Sequence, residues 1–129
     1  MNAAEKPNEW RRIAQMDLDT AHYIFDNMHP KPLEIVCFLA QQSAEKLLKG
    51  FLVSQEIDPP KTHDLRALRI LCMERKQEFV NISNECSLLT LYGVQPRYPN
   101  EIEITEEDTR RALRDIDSIM AFFKGCIFM

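Results

Sequence analysis

"CFLAQQSAEKLLKGFLV", residues 37–53, sets Gln41, Gln42, Glu45, Lys46 and Lys49 into an otherwise apolar run, and the disposition of those side chains decides the fold. Val36, Ala40, Ala44, Leu47 and Phe51 recur at helical steps and form one stripe. Ile35 and Phe38 project from other sides, so more than one face needs cover and the segment is expected to be a central helix. Gln42, Lys46 and Lys49 lie at i, i+4 and i+7 and share a side, while Gln41 and Glu45 make a second row beside it. These rows admit three readings. They form a polar seam in the bundle or across a dimer interface, beside Phe38; or they present ammonium groups and amides to a nucleotide; or Glu45 and Lys49 are a solvated pair that contributes little. The first predicts that residues 41–49 are enclosed by other protein, from a twin subunit or a cognate chain.

Outward from this helix, Trp10, Ile13, Ala14, Asp17, Leu18, Ala21, Ile24, Phe25 and Met28 mark a first amphipathic helix over residues 10–28, with Asp17 its odd polar member. His29-Pro30-Lys31-Pro32 ends it. The central helix begins near Leu33, with Pro32 suited to its first turn, and runs to Glu56 before Asp58-Pro59-Pro60. Thr62 offers an N-cap hydroxyl and Asp64 a first-turn carboxylate to a third helix that buries Leu65, Leu68, Ile70, Leu71 and Met73. A kink at residues 74–76 leads to a further helix over 77–92, carrying Phe79, Ile82, Cys86, Leu89 and Leu91. "GVQPRYPNEIE", residues 93–103, reads as a loop. Thr105-Glu106-Glu107-Asp108 resembles a capping box opening the last helix, whose buried side is Ala112, Leu113, Ile116, Ile119, Met120 and Phe123 and whose end is expected at Gly125. No stretch has a strand's alternation. The expected architecture is all-α: an antiparallel up-and-down bundle of four to five helices in a single domain, residues 1–129.

Twenty acidic against 16 basic side chains give a net charge of −4, which excludes the broad basic field that captures nucleic acid without specificity. The four cysteines, Cys37, Cys72, Cys86 and Cys126, form no C-x-x-C pair, have no basic neighbour at motif spacing, and read as core residues in a reducing cytoplasm. With His22, His29 and His63 they give no zinc spacing, so no metal or cofactor is expected. No apolar run is long enough for a membrane span. The terminal Cys126-Ile127-Phe128-Met129 fits the permissive prenylation pattern, which carries little weight alone.

The motifs "DLDTA" at 17–21, "CFLAQQSAEKLLKGFL" at 37–52, "THDLRAL" at 62–68 and "RYP" at 97–99 resemble the HEPN family, helical domains associated with nucleotides. The resemblance implies a helical bundle that forms homodimers. It also implies a partner, a minimal nucleotidyltransferase encoded as a separate chain, the two behaving as a toxin-antitoxin pair. HEPN ribonucleases carry an Arg followed about five residues later by a His near the start of the last helix, the pair that activates a ribose hydroxyl. Here no His follows His63, so Arg97, Arg110, Arg111 and Arg114 lack that partner.

The candidate ligand or interface residues are therefore Gln41, Gln42, Glu45, Lys46, Lys49, His63, Asp64, Arg97 and Tyr98, with no catalytic residue assigned. Arg97 and Tyr98 offer a guanidinium fork and a stacking ring on a proline-flanked loop, or else Arg97 pairs with Asp17 and Tyr98 closes the core. His63 either fixes a helix start or touches a ligand. The leading expectation is a noncatalytic bundle that binds a nucleotide, RNA or a nucleotidyltransferase. The alternatives are a ribonuclease toxin with an atypical set of His63, Asp64 and Arg97, and a purely structural antitoxin or scaffold.

Overall fold

A computed structural model describes residues 6–93 and 103–128. Helix α1, Pro7–Asn27, opens on a proline, whose missing N–H falls where a helix start has no acceptor for it. It begins three residues ahead of Trp10, because the apolar period marks the buried face and not the first turn. Helix α2, Leu33–Ser54, follows Pro32, which occupies the N-cap position. The prolines at 59 and 60 do not end α2. Glu56 takes φ 59°, and the Ile57 and Glu56 amides bond back to the Leu52 and Val53 carbonyls at 2.9 and 3.0 Å, a Schellman closure with glutamate where glycine is usual.

Helix α3, Leu65–Met73, is capped by Asp64 and not by Thr62, as the Asp64 carboxylate accepts from the Arg66 amide. The Thr62 hydroxyl instead accepts from the Asp64 amide at 3.1 Å, so both polar groups secure the turn, shifted by two residues from the expected cap. The helix expected over 77–92 is broken into a 3-10 turn Gln77–Ile82, helix α4 Ser83–Leu89 and a second 3-10 turn Thr90–Tyr92. The tighter winding aligns residues three apart, and Phe79 and Ile82 both enter the core from it. Helix α5, Glu106–Phe122, opens on the expected capping box, with Thr105 and Asp108 exchanging side-chain and backbone bonds. Gly125 does not end it; winding continues through a π turn, Phe123–Ile127.

The five α-helices, with no strand among the described residues, place α2 in contact with α1, α3, α4 and α5. The apolar stripe of α2 is buried, together with Cys37, Leu48 and Leu52, which accounts for its central place. Phe79 lies at the middle of the aromatic core, 4.7 Å from Phe51, 5.2 Å from Phe122 and 5.6 Å from Phe123 between ring centroids. A smaller cluster, Ala21, Phe25, Val36 and Leu113, fills the end near the α1–α2 turn. Small residues let α1 approach α2 closely: the Ser43 hydroxyl donates to the Ala14 carbonyl at 2.7 Å, and a Cβ on Gly50 would lie 2.7 Å from that of Trp10. Cys37, Cys72 and Cys86 are buried, and burial pushes their thiols up, Cys37 to about 11 and Cys86 to about 12.

Candidate functional site

The two polar rows of α2 meet. Gln41 is fully buried and Glu45 is 3% exposed, whereas Gln42, Lys46 and Lys49 lie at intermediate depth. Lys46 donates to Gln42 Oε1 at 3.0 Å, Gln42 Nε2 donates to Gln41 Oε1 at 2.8 Å, and Gln41 Nε2 donates to the His63 carbonyl at 3.0 Å. The Glu45 carboxylate closes this ladder. Lys49 Nζ stands 3.1 Å from Oε2, and His63 Nδ1 stands 2.9 Å from Oε1. The Glu45–Lys49 pair is therefore not a solvated one, since its side chains are 4% and 12% exposed. The chain itself supplies the cover that buries Gln41 and Glu45.

Burial by itself pushes the Glu45 carboxyl up. Hydrogen bonds from His63, Lys49 and Gln41, with the Lys49 charge, outweigh that penalty and hold it below the usual carboxylate range. His63 is different in kind, because its side chain is 66% exposed and, among the described residues, anchored at Nδ1. Asp64 lies at the same turn; loss of hydration pushes its carboxyl up, and bonds from the Arg66 side chain and amide, with the Arg66 charge, together outweigh that and hold it low.

Two groups that the sequence did not single out complete the turn. The Thr90 hydroxyl accepts from the Leu65 amide at 2.9 Å and points at Asp64 Oδ1 at 3.5 Å. Gly93 fits against the ladder so closely that a Cβ there would lie 3.3 Å from Gln41 Nε2 and 3.4 Å from the His63 carbonyl. Neither has a local signal, since both act across at least 25 residues of chain. Arg97 and Tyr98, and with them the expected Asp17–Arg97 pair, lie outside the described residues. Asp17 is half-buried, and burial pushes its carboxyl up while the Lys46 charge opposes the shift. Among the described residues no group of three or more His, Cys, Asp or Glu side chains is arranged to hold a metal ion, and no helix is long and apolar enough to cross a membrane.

The HEPN domain profile matches residues 7–126, from the first turn of α1 to the π turn after α5. The chain belongs to the HEPN family. Solved structures agree. An archaeal HEPN homologue, ST0689, is 26% identical, with a TM-score of 0.71 over 93% of this chain and 96% of its own. TT1696 from Thermus thermophilus is 24% identical, with a TM-score of 0.74 over 97% and 98%, a likeness of fold. No curated protein matches the chain. The ladder thus runs along the central helix of a HEPN bundle and ends at the His63 turn, beside Gly93.

Proposed function

We propose that this chain is a noncatalytic HEPN bundle that binds a nucleotide, a minimal nucleotidyltransferase, or both, as one half of a toxin-antitoxin-like pair. The observation that supports the reading most directly is the ladder itself. Glu45, the buried carboxylate, has its oxygens occupied by Lys49 and His63 and its proton affinity lowered, which suits a fixed scaffold for donors and not a proton-exchanging acid. The groups left at its two ends are the Lys46 ammonium and the outer nitrogen of His63, each able to meet a phosphate oxygen or a base edge. Homodimerisation is part of the proposal, and the exposed Met16 and Tyr23 of α1, Met28 just after it and Ile35 of α2 supply an apolar surface for it. The reading is tested by titrating the purified protein with AMP, ATP and the product of any adjacent nucleotidyltransferase gene. Absence of affinity for all three, with a monomeric sedimentation profile, would sink it.

A second reading draws on one observation. With the Nδ1 proton of His63 directed at Glu45, Nε2 faces outward as a base oriented by a carboxylate, an arrangement that serves general-base catalysis. A ribonuclease of that atypical set, His63 with Asp64 and Arg97, would lose RNA cleavage in His63→Ala. A protein that leaves RNA intact removes this reading and keeps the first.

A further inference from the structure

We propose that a cavity between the start of α1 and the second half of α2 is a subsite for the phosphate group of a phosphorylated ligand, with Arg11 and Lys46 as its cations. This rests on the ligand-binding reading above and locates the phosphate within it. The cavity measures about 90 Å³ and is bounded by Pro7, Arg11, Lys46, Leu47 and Phe51, with Phe128 across its end. That space is large enough for a tetrahedral anion between the two cations, with the rest of the ligand extending outward from the mouth.

The construction begins with Gly50. Because a side chain there would collide with Trp10, glycine lets the first turns of α1 sit against α2, and this brings Arg11 and Lys46, 35 residues apart in sequence, to one cavity. The π turn after α5 then delivers Phe128, whose ring lies 3.5 Å from the Arg11 guanidinium carbon. A guanidinium held flat on a ring keeps its in-plane N–H edge for a bidentate acceptor, the geometry that phosphate matches. Lys46 gives one hydrogen to Gln42, which fixes the ammonium through the ladder and leaves two donors.

Among the described residues neither cation has a carboxylate within ion-pair distance, although Arg12, the next residue, pairs with Glu9 at 2.9 Å. Asp17 is the acid that Lys46 faces electrostatically, without contact. At the same α1–α2 junction the buried Trp10 indole N–H finds no acceptor among the described residues. Apolar walls from Leu47, Phe51 and Phe128 weaken screening and so strengthen the pull of two cations on one anion.

The test is isothermal titration of the intact protein with inorganic phosphate, AMP and adenosine, repeated by phosphorus NMR for the first two. Arg11→Gln and Lys46→Met are each expected to weaken phosphate and AMP by about tenfold, the loss of one charge-assisted bond. Arg12→Gln, the same charge change one residue away, is expected to leave both unchanged, with circular dichroism checking the fold of every variant. Inorganic phosphate bound through Arg11, with no gain for AMP, keeps the subsite and removes the nucleotide reading. AMP affinity that is indifferent to Arg11 and Lys46 overturns the subsite and leaves nucleotide binding standing elsewhere. No phosphate binding at millimolar concentration, or an equal loss in Arg12→Gln, overturns the subsite as well.

Discussion

Glu45 on α2 and Asp115 on α5 are both carboxylates drawn partly out of water by the same bundle, and their proton affinities move in opposite directions. Glu45, the more deeply buried, is held low because Lys49, His63 and Gln41 all donate to it. Asp115 is pushed up, first by burial and then by the repulsion of Glu85, with Arg111 and Arg114 only partly opposing. It lines an open groove of about 240 Å³ beside Leu88, Leu91, Tyr92 and Ile104. Depth therefore does not set the sign of the shift; the supply of donors does. One region has completed its polar chemistry internally, and the other leaves a carboxylate poorly matched at the edge of an apolar groove.

The largest expected effect breaks the completed region. Glu45→Ala strands the Lys49 ammonium, which is 12% exposed, and removes the anchor of His63. A loss of about 3 kcal/mol is expected, the lower end of the range for an orphaned buried charge because Lys49 can extend toward solvent. Urea denaturation checks it. The acid side of the stability profile sharpens the point. A carboxyl with a lowered folded pKa stabilises fully above its unfolded value, about 4.3, and loses that contribution as pH falls through the folded value. The gap between wild type and Glu45→Gln is therefore expected to shrink below about pH 4. A gap that stays constant would show that Glu45 acts through packing and not through charge.

Next in size is Gly50→Ala, which leaves the ladder's own atoms unaltered. The new Cβ meets another Cβ at 2.7 Å, an atom fixed to the α1 backbone, so the helices must separate. Overpacking of about 2–3 kcal/mol, offset by about 1 kcal/mol of helix propensity, predicts a net loss of about 1–2 kcal/mol. Thermal unfolding measures it. No change in stability would mean that α1 slides freely over α2.

The contrast also governs what could be read in advance. The long helices α1 and α2 were legible because their contacts repeat at a period of 3.6, and Thr105 with Asp108 was legible because a capping box is written within four residues. The stretch 77–92 was not, because nothing local reveals that Phe79 and Ile82 must reach the same point of the core, and 3-10 winding is the backbone's answer to that tertiary demand. The end of α2 misled for a related reason: visible prolines lie downstream, while the stop is a glutamate in a left-handed conformation. In the candidate site, Gln41, Glu45 and Lys49 were placed in rows by their spacing. Their closure by His63, Thr90 and Gly93 depends on how α2, α3 and the turn before residue 94 dock, which no motif encodes.

Smaller effects probe the helix ends. Thr105→Ala removes a reciprocal cap at the start of α5, and about 1 kcal/mol is expected from denaturant midpoints. Glu56→Gly, by contrast, relieves a left-handed residue and is expected to stabilise by about 0.5–1 kcal/mol.

The smallest effect is the most diagnostic. Asp115 has a folded pKa above its unfolded value of about 3.9, so its ionisation favours the unfolded chain as pH rises through that interval. Asp115→Asn removes the charge without changing the shape. It is expected to stabilise at pH 7 by less than about 0.5 kcal/mol, given the half-exposed setting, and the gain should vanish below about pH 4. Glu45→Gln has the opposite sign at pH 7 and converges with wild type on the same acid side. Two isosteric substitutions on adjacent helices, one at a carboxylate met by donors and one at a carboxylate without them among the described residues, should therefore give stability profiles that approach the wild-type curve from opposite directions. If both destabilise at neutral pH, the attraction of Arg111 and Arg114 outweighs burial and the Glu85 repulsion at Asp115, and the contrast between the two carboxylates falls.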